Sequence, residues 1–429
     1  MKLFSTCSLV IISLLIACGK KNATPTPPVV TKTIPTVTTT EATNVGTTSA
    51  VTGGNVTADG GENVTARGIC WSNIPAPTIA GNHSTDSSGK GVFTTTLTGL
   101  DHSTIYYARA YATNAKGTAY GNQISFVTPA PDPDLYILGT EDNEIRLWKN
   151  GILVPNNYGG LRSVARGLAV SDKRDVYIAG KQDPITGNAK ATVWKNGVPT
   201  FLTSGVYTAM ATCIAISGND IYVGGYEHNG VQYEGKIWKN GIPTSLTSPT
   251  ADGRIESICV SGNDVYAVGT ENGIAKRWKN GTPTNLTFQQ GAGGVLSVAA
   301  ANGNSYTCGF KNINPTGQYG HLWINGTDSS LVNGTLTLAM SIVHTGTDLY
   351  ISCVKGKTGH IWKNGALTNI DNSSNETVPY GLYVAGNNVY ACGWEQLSTG
   401  KRGLYWVNGK ATPLTSGNTE CYLWAVVMK

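Results

Sequence analysis

The tetrapeptide Trp-Lys-Asn-Gly starts at Trp148, Trp194, Trp238, Trp278 and Trp362, and the variants Trp-Ile-Asn-Gly and Trp-Val-Asn-Gly start at Trp323 and Trp406. Successive tryptophans are 46, 44, 40, 45, 39 and 44 residues apart, so most of the 429-residue chain is written in one repeated unit. A second landmark recurs in step: Asp134-Leu-Tyr, Asp175-Val-Tyr, Asp220-Ile-Tyr, Asp264-Val-Tyr, Asn304-Ser-Tyr, Asp348-Leu-Tyr and Asn388-Val-Tyr. Before six of these lies an apolar run such as "CIAISGND" or "ICVSGND". The unit therefore reads as four short strands: an apolar strand, a turn, the Asp-x-Tyr strand, a loop, the Trp strand, Asn-Gly, and a last strand such as "IPTSLT". Asn-Gly between two alternating runs is a strong hairpin signal, because a type I′ turn needs positive φ at both central positions and these residues tolerate it.

Repeats of about 40–45 residues built from four strands are the signature of a β-propeller blade. The first repeat starts at Asp134 without a leading strand, and the chain stops with "CYLWAVVMK", a leading strand without followers. Joining the two completes a seventh blade and removes exposed sheet edges. The fold expected is all-β, with a seven-bladed propeller over 134–429 closed by the C-terminal strand. The repeats resemble propellers in general, yet carry neither the Gly-His and Trp-Asp pairs of WD repeats nor the paired glycines of Kelch repeats, so no named propeller family lends its function. The residue before each Trp is Leu147, Val193, Ile237, Arg277, Leu322, Ile361 or Tyr405, mostly apolar. Both faces of that strand are then buried, and the ring is expected to fill the gap between blades rather than to stack on a ligand.

The chain opens with an apolar run, "LFSTCSLVIISLLIA", that reads as a secretory signal over 1–17. It ends in Leu15-Ile16-Ala17-Cys18-Gly19, which resembles the lipobox of bacterial lipoproteins. That resemblance implies cleavage before Cys18 and acylation of it, with the membrane as partner through lipid. It favours the outer membrane, since Gly19 is not an acidic retention signal. Residues 18–33, rich in Pro, Thr and Lys, read as an extended lipidated tether. Residues 34–128 alternate in short runs such as "TARGICWS" and "TIYYARAYATN" and form a separate small sandwich of about seven strands. The run Leu100-Asp-His-Ser-Thr104-Ile-Tyr106, then Arg109, Ala112, Asn114 and Gly117, resembles the F-strand region of fibronectin type III domains, with His102 where proline is usual. By that resemblance Tyr106 is the tyrosine-corner residue and the domain is a spacer. Trp71 is assigned to its core. Residues 129–133 are a proline-punctuated linker.

With 53 Gly and only 13% charged residues, the composition suits an exported all-β protein, and a net charge of +5 without a basic block argues against a nucleic-acid partner. Seven cysteines follow Cys18, scattered through apolar strands without CxxC spacing, and read as buried thiols. His321 and His360 occupy equivalent sites in neighbouring repeats but lack a repeated carboxylate or cysteine partner, so no metal is expected there. A ring of the Asp-x-Tyr carboxylates could hold calcium, but each has a ready role in its turn. No GxSxG, HExxH or P-loop occurs. No cofactor or catalytic residue is assigned.

Nearly all length variation between repeats lies between the Asp-x-Tyr and Trp strands, on the face that also carries the connections between blades. Tyr226, His228, Tyr233, Phe310, Tyr319, Trp394 and Glu395 gather there and are the candidate ligand residues, since loops on a rigid scaffold are favoured binding sites. The function expected is that of a lipid-anchored envelope module, monomeric and non-catalytic, for binding or adhesion to a glycan or an envelope protein. The alternatives are a polysaccharide-active enzyme with dispersed acids and a structural assembly subunit of the envelope.

Overall fold

The computed structural model describes residues 31–130, 132–155, 158, 163–286, 293–313, 317–329, 331, 338–370 and 373–429. The signal, Cys18 and the tether as far as residue 30 lie outside the described residues. Strands and turns make up the described chain, which divides into two units, one ending at Asp132 and one beginning at Pro133.

The first unit holds two sheets. Thr36–Thr43, Ser49–Ala58 and Gly91–Thr98 form one, while Ala66–Ser72 and Ile105–Asn114 form the centre of the other. Alternation puts Val37, Val56, Ile69, Leu97, Tyr106, Ala108, Ala110 and Phe126 into a shared core, with Trp71 packed partly buried against it. The Tyr106 hydroxyl accepts a hydrogen bond from the Asp101 backbone N–H at 3.0 Å, so the ring is inside and its polar end is satisfied.

The second unit is a β-propeller. Among the described residues it contains seven four-stranded antiparallel sheets, numbered here in chain order. In the second to seventh sheets the strands follow the chain outward, and their first strands are Val164–Val170, Ala209–Ser217, Gly253–Ser261, Gly293–Ala301, Leu338–Thr345 and Thr377–Ala385. Each packs on the first strand of the next sheet, Thr377–Ala385 packs on Cys421–Met428, and that strand packs back on Val164–Val170 to complete the ring. Cys421–Met428 is the innermost strand of the first sheet, paired with Leu135–Glu141 from Cys421↔Glu141 to Met428↔Leu135. Asp134 and Lys429 then exchange two backbone hydrogen bonds of 2.7 and 3.0 Å.

The repeated motif is resolved into one local circuit. Every Asn of the Asn-Gly pairs has φ between 47° and 54°, and every following Gly is also at positive φ, as a type I′ turn demands. In the third sheet the Asn240 side chain accepts from the Ile221 N–H at 2.9 Å and donates to Asp220 at 2.8 Å. Lys239 bridges to the same carboxylate at 2.7 Å while lying over the Tyr222 ring. The ion pair repeats as Asp134–Lys149, Asp175–Lys195, Asp264–Lys279 and Asp348–Lys363, at 2.7–2.9 Å. Where the lysine is replaced, by Ile324 or Val407, the carboxylate is replaced too, by Asn304 or Asn388, which accepts from Asn325 or Asn408. Removing the cation and the anion together avoids a carboxylate without its counter-ion. These carboxylates are thereby occupied by lysines and amides.

The tryptophans are masonry. Trp194, Trp238, Trp278, Trp323 and Trp406 are among the largest fully buried side chains, with Trp148 and Trp362 also buried. Trp238 packs with Tyr177, Ala179 and Val193 of the preceding sheet and Val223 of its own, filling the space between sheets. The outermost strands carry Pro199, Pro243 and Pro283 directly opposite the tryptophans, where a missing N–H faces no further strand. The seven described cysteines are unpaired thiols, and burial pushes Cys213, Cys259, Cys353 and Cys421 up to about 12.

Candidate functional site

The seven innermost strands line a central cavity of about 530 Å³. Each carries a register shift at one equivalent position, which leaves a single residue outside the ladder: Arg166, Thr212, Glu256, Leu296, Met340, Tyr380 and Trp424. A β-bulge re-aims the extra side chain, and all seven of these residues line the cavity. They lie near the start of each strand, close to the face that bears the loops joining second and third strands.

The next residue in each strand is small: Gly167, Cys213, Ser257, Ser297, Ser341, Gly381 and Ala425. Close approach at the axis demands it. A Cβ on Gly167 would sit 3.0 Å from the Cys213 Cα, and one on Gly381 would sit 2.9 Å from the Ala425 Cα. Adjacent innermost strands are tied by side chains from this zone. The Thr212 hydroxyl donates to Ile255 O at 2.5 Å, Ser257 accepts from the Val298 N–H at 3.3 Å, and Ser297 accepts from the Ile342 N–H at 3.2 Å. A uniform small ring thus supports a ring in which no residue type occurs twice.

That upper ring is asymmetric. Leu296 and Met340 make an apolar arc, while Tyr380, Trp424, Arg166, Thr212 and Glu256 make a polar and aromatic one. The Tyr380 and Trp424 rings are 4.8 Å apart, Trp424 stacks on Tyr422 at 5.5 Å, and its indole N–H donates to the Thr140 hydroxyl at 3.1 Å. The exposed Arg166 guanidinium lies 5.2 Å from the Trp424 ring centroid. Burial raises the Glu256 carboxyl above the usual glutamate range, against the pull of Arg166 and Arg254.

The sequence-derived candidates fall around this mouth, but on strands rather than on loop tips. Tyr226 and His228 end the strand Asp220–His228, and Tyr233 begins Tyr233–Lys239; the pairing continues out to His228↔Tyr233, so the extra residues lengthen a hairpin. All three are half-buried. Tyr226 meets Tyr233 edge-on at 5.1 Å, Tyr233 meets His228 at 5.2 Å, and Arg254 lies over both tyrosines. Phe310 and Tyr319 are half-buried within the strands of the fifth sheet, Phe310 lying over Gly294. Trp394 and Glu395 depart furthest from the expected exposed loop, at 8% and 4% exposure. Trp394 packs with Val354 and Val378, and its hairpin pairs out to Gln396↔Lys401. Glu395, despite the cost of burial, is held below its usual pKa by hydrogen bonds from Ser373, Asn375 and Arg402, which marks it as a structural anchor.

One connection survives. Lys401 lies over both Trp394 and Tyr422, and Trp394 meets Tyr422 edge-on at 6.5 Å, so a run of rings leads from Trp394 through Tyr422 to Trp424 and Tyr380 at the mouth. Arg166, Glu256, Tyr380 and Trp424 were not singled out from the sequence. Their signal was present: in the third to seventh repeats the bulged residue stands eight positions before the Asp/Asn-x-Tyr landmark, and in the second nine. Arg166 there interrupts a run whose other members are apolar or small, whereas Glu256, Tyr380 and Trp424 share their runs with Arg254, Tyr383 and Tyr422.

His321 pairs with Asp328, and His360 Nδ1 lies 3.0 Å from Thr358 O, so each imidazole is engaged within its own sheet. Among the described residues no group of three or more His, Cys, Asp or Glu is arranged to hold a metal ion.

No family model matches the chain, and no curated protein does. Among solved structures it is similar to the β-propeller domain of the Trilobed protease from Pyrococcus furiosus, at 8% identity and a TM-score of 0.40, over 89% of this chain and 99% of that one. It is also similar to TolB from Acinetobacter baumannii, at 10% identity and a TM-score of 0.36, over 74% of this chain and 76% of that one.

Proposed function

We propose that this chain is a bacterial outer-membrane lipoprotein, anchored through Cys18, that presents a seven-bladed propeller on a fibronectin type III-like spacer and binds a glycan at the mouth of the central channel without catalysis. The observation that carries the reading is the bulged ring. Seven equivalent scaffold positions hold seven different side chains, two of them adjacent aromatic rings beside an arginine, with a carboxyl group two strands further round. Flat rings offer faces to sugar C–H groups, while Arg166, Thr212 and Glu256 supply donors and acceptors for hydroxyls. The cavity is of the size that holds small ligands. The tyrosine-corner hydrogen bond of Tyr106 and the closure by Cys421–Met428 support the domain reading, and the lipobox supports the anchor.

The enzyme alternative asks for a second carboxyl group, since glycoside hydrolysis by the common route uses a pair. Glu256 is the one carboxylate among the described residues lining the cavity.

A glycan array with the full-length protein, compared with Trp424→Ala and Tyr380→Ala, tests the site. Binding should be reduced at least about tenfold in each variant. Undiminished binding in both would move the site elsewhere, and capture of an envelope protein with no glycan bound would replace the ligand class. A hydrolysis screen on the bound glycans that releases reducing ends would make the protein an enzyme.

A further inference from the structure

The basic groups on the loop-bearing side of the propeller are not equivalent. Lys401 is committed to the Tyr422 hydroxyl at 2.5 Å and to Glu420 at 3.3 Å, and Arg402 to the buried Glu395. Arg254 is wedged against the rings of Tyr226 and Tyr233. Arg166 is different. It is exposed at the mouth, it stands on a bulge that aims it away from the ladder, and among the described residues it forms no ion pair. Its guanidinium lies over Trp424 and within electrostatic reach of Glu256, but among the described residues no hydrogen bond occupies its planar fork of donors.

A stacked guanidinium with open donors is the arrangement that takes a carboxylate through two parallel hydrogen bonds, and the fixed plane reduces the ordering cost of making them. Phosphate or sulfate esters would suit the fork as well, but the ring pair places a flat apolar face directly beside it. In a sugar acid the carboxylate sits on the ring carbon next to such a face. The other side of the mouth points the same way. Glu256 stands two strands further round and disfavours a second anion there, while Leu296 and Met340 offer no charge at all. The ligand is thus given one anionic end.

We infer that the glycan held at the channel mouth is an acidic one, a uronic-acid residue whose carboxylate is taken by Arg166 while Trp424 and Tyr380 take its pyranose face. The inference rests on the glycan-binding reading above and narrows it. Hydrogen bonds supply the selection, so it persists at physiological salt, where loosely attracted anions are screened.

Trigalacturonate and its fully methyl-esterified form are suitable probes, since they differ only at the carboxyl groups, free anions in one and neutral methyl esters in the other. Titration calorimetry of the full-length protein in detergent at about 0.15 M salt should show the acid binding about tenfold or more tightly than the ester. Arg166→Gln should abolish that preference, so that acid and ester bind equally in the variant. Because the side chain is exposed, the thermal midpoint should stay put, and Arg166→Lys should restore only part of the preference, having charge without the fork. Equal binding of acid and ester would overturn the inference and leave the glycan site standing. Preference for the acid that survives Arg166→Gln would overturn the residue assignment. If neither probe nor any neutral glycan binds, the glycan reading falls with it.

Discussion

Two tryptophans of the repeated motif are buried alike but bonded differently. The Trp278 indole N–H donates to Leu246 O at 3.1 Å, whereas the Trp238 indole N–H is buried with no partner among the described residues. Replacing each by Phe keeps most of the ring in the space between sheets and removes the N–H. At either site the lost ring atoms cost about 1–2 kcal/mol at roughly 0.8 kcal/mol per methylene-sized group. At Trp238 this is offset by relief of an unsatisfied donor, worth about 1–3 kcal/mol, so Trp238→Phe should be close to neutral. At Trp278 the Leu246 carbonyl is left unpaired instead, and Trp278→Phe should cost about 2–4 kcal/mol. Trp238→Ala, which empties the site, should cost about 3–5 kcal/mol. Thermal melts of the three variants by calorimetry, at one scan rate, give the order directly. Equal loss in the two Phe variants would refute the assignment of an unbonded donor at Trp238. A Trp238→Ala variant that melts like wild type but no longer binds ligand would refute the packing role altogether.

Deleting residues 421–429 removes the innermost strand of the first sheet, with the fully buried Cys421 and Leu423, and should leave a chain that aggregates or loses its cooperative melt; an unchanged melting profile would contradict ring closure. Asp220→Asn and Lys239→Val should each lower the melting temperature more than the double variant does, because the pair then matches the sheets that carry Asn304 with Ile324 and Asn388 with Val407; strictly additive losses would show the exchange to be accidental. Burial holds the Glu256 pKa above its unfolded value, so its contribution to stability is present below about pH 4.3 and lost as pH rises through the folded value. Glu256→Gln should therefore raise the melting temperature at pH 7.5 and not at pH 4, and a gain of the same size at both would argue against a burial-raised carboxyl. Cys18→Ala should release the protein into the soluble fraction; retention in carbonate-washed membranes would count against the lipid anchor.

The repeat was legible because it is written in residues with few alternatives. Asn-Gly at positive φ, alternating strands and a large ring at a fixed interval leave little choice of backbone, and the sheets fall where the landmarks predict. The site was harder to read because its information lies in what is not repeated. Arg166, Glu256, Tyr380 and Trp424 sit inside largely apolar runs, and the register shift that turns each toward the cavity leaves only two traces, its distance from the Asp/Asn-x-Tyr landmark and the small residue after it. Loop length misled for a related reason. Extra residues between the second and third strands added rungs to the hairpins of the third, fifth and seventh sheets, so Trp394 and Glu395 were carried into packed surroundings instead of out to a tip. Length alone does not distinguish a longer loop from a longer ladder.

The sheet that receives the chain from the linker also has a mechanical consequence. Leu135–Glu141, the first strand after Pro133, is flanked on both sides, by Glu144–Lys149 and by Cys421–Met428, and Asp134 is clamped by Lys149, Asn150 and Arg174 as well as by the backbone of Lys429. A pull on the linker therefore enters the ring through an interior strand and divides between two ladders, and no outer hairpin can be peeled off first. Load shared in this way would have to break the closing strand and its neighbour together. The seam where Asp134 meets Lys429 is thus reinforced at the point where tension from the preceding segment arrives.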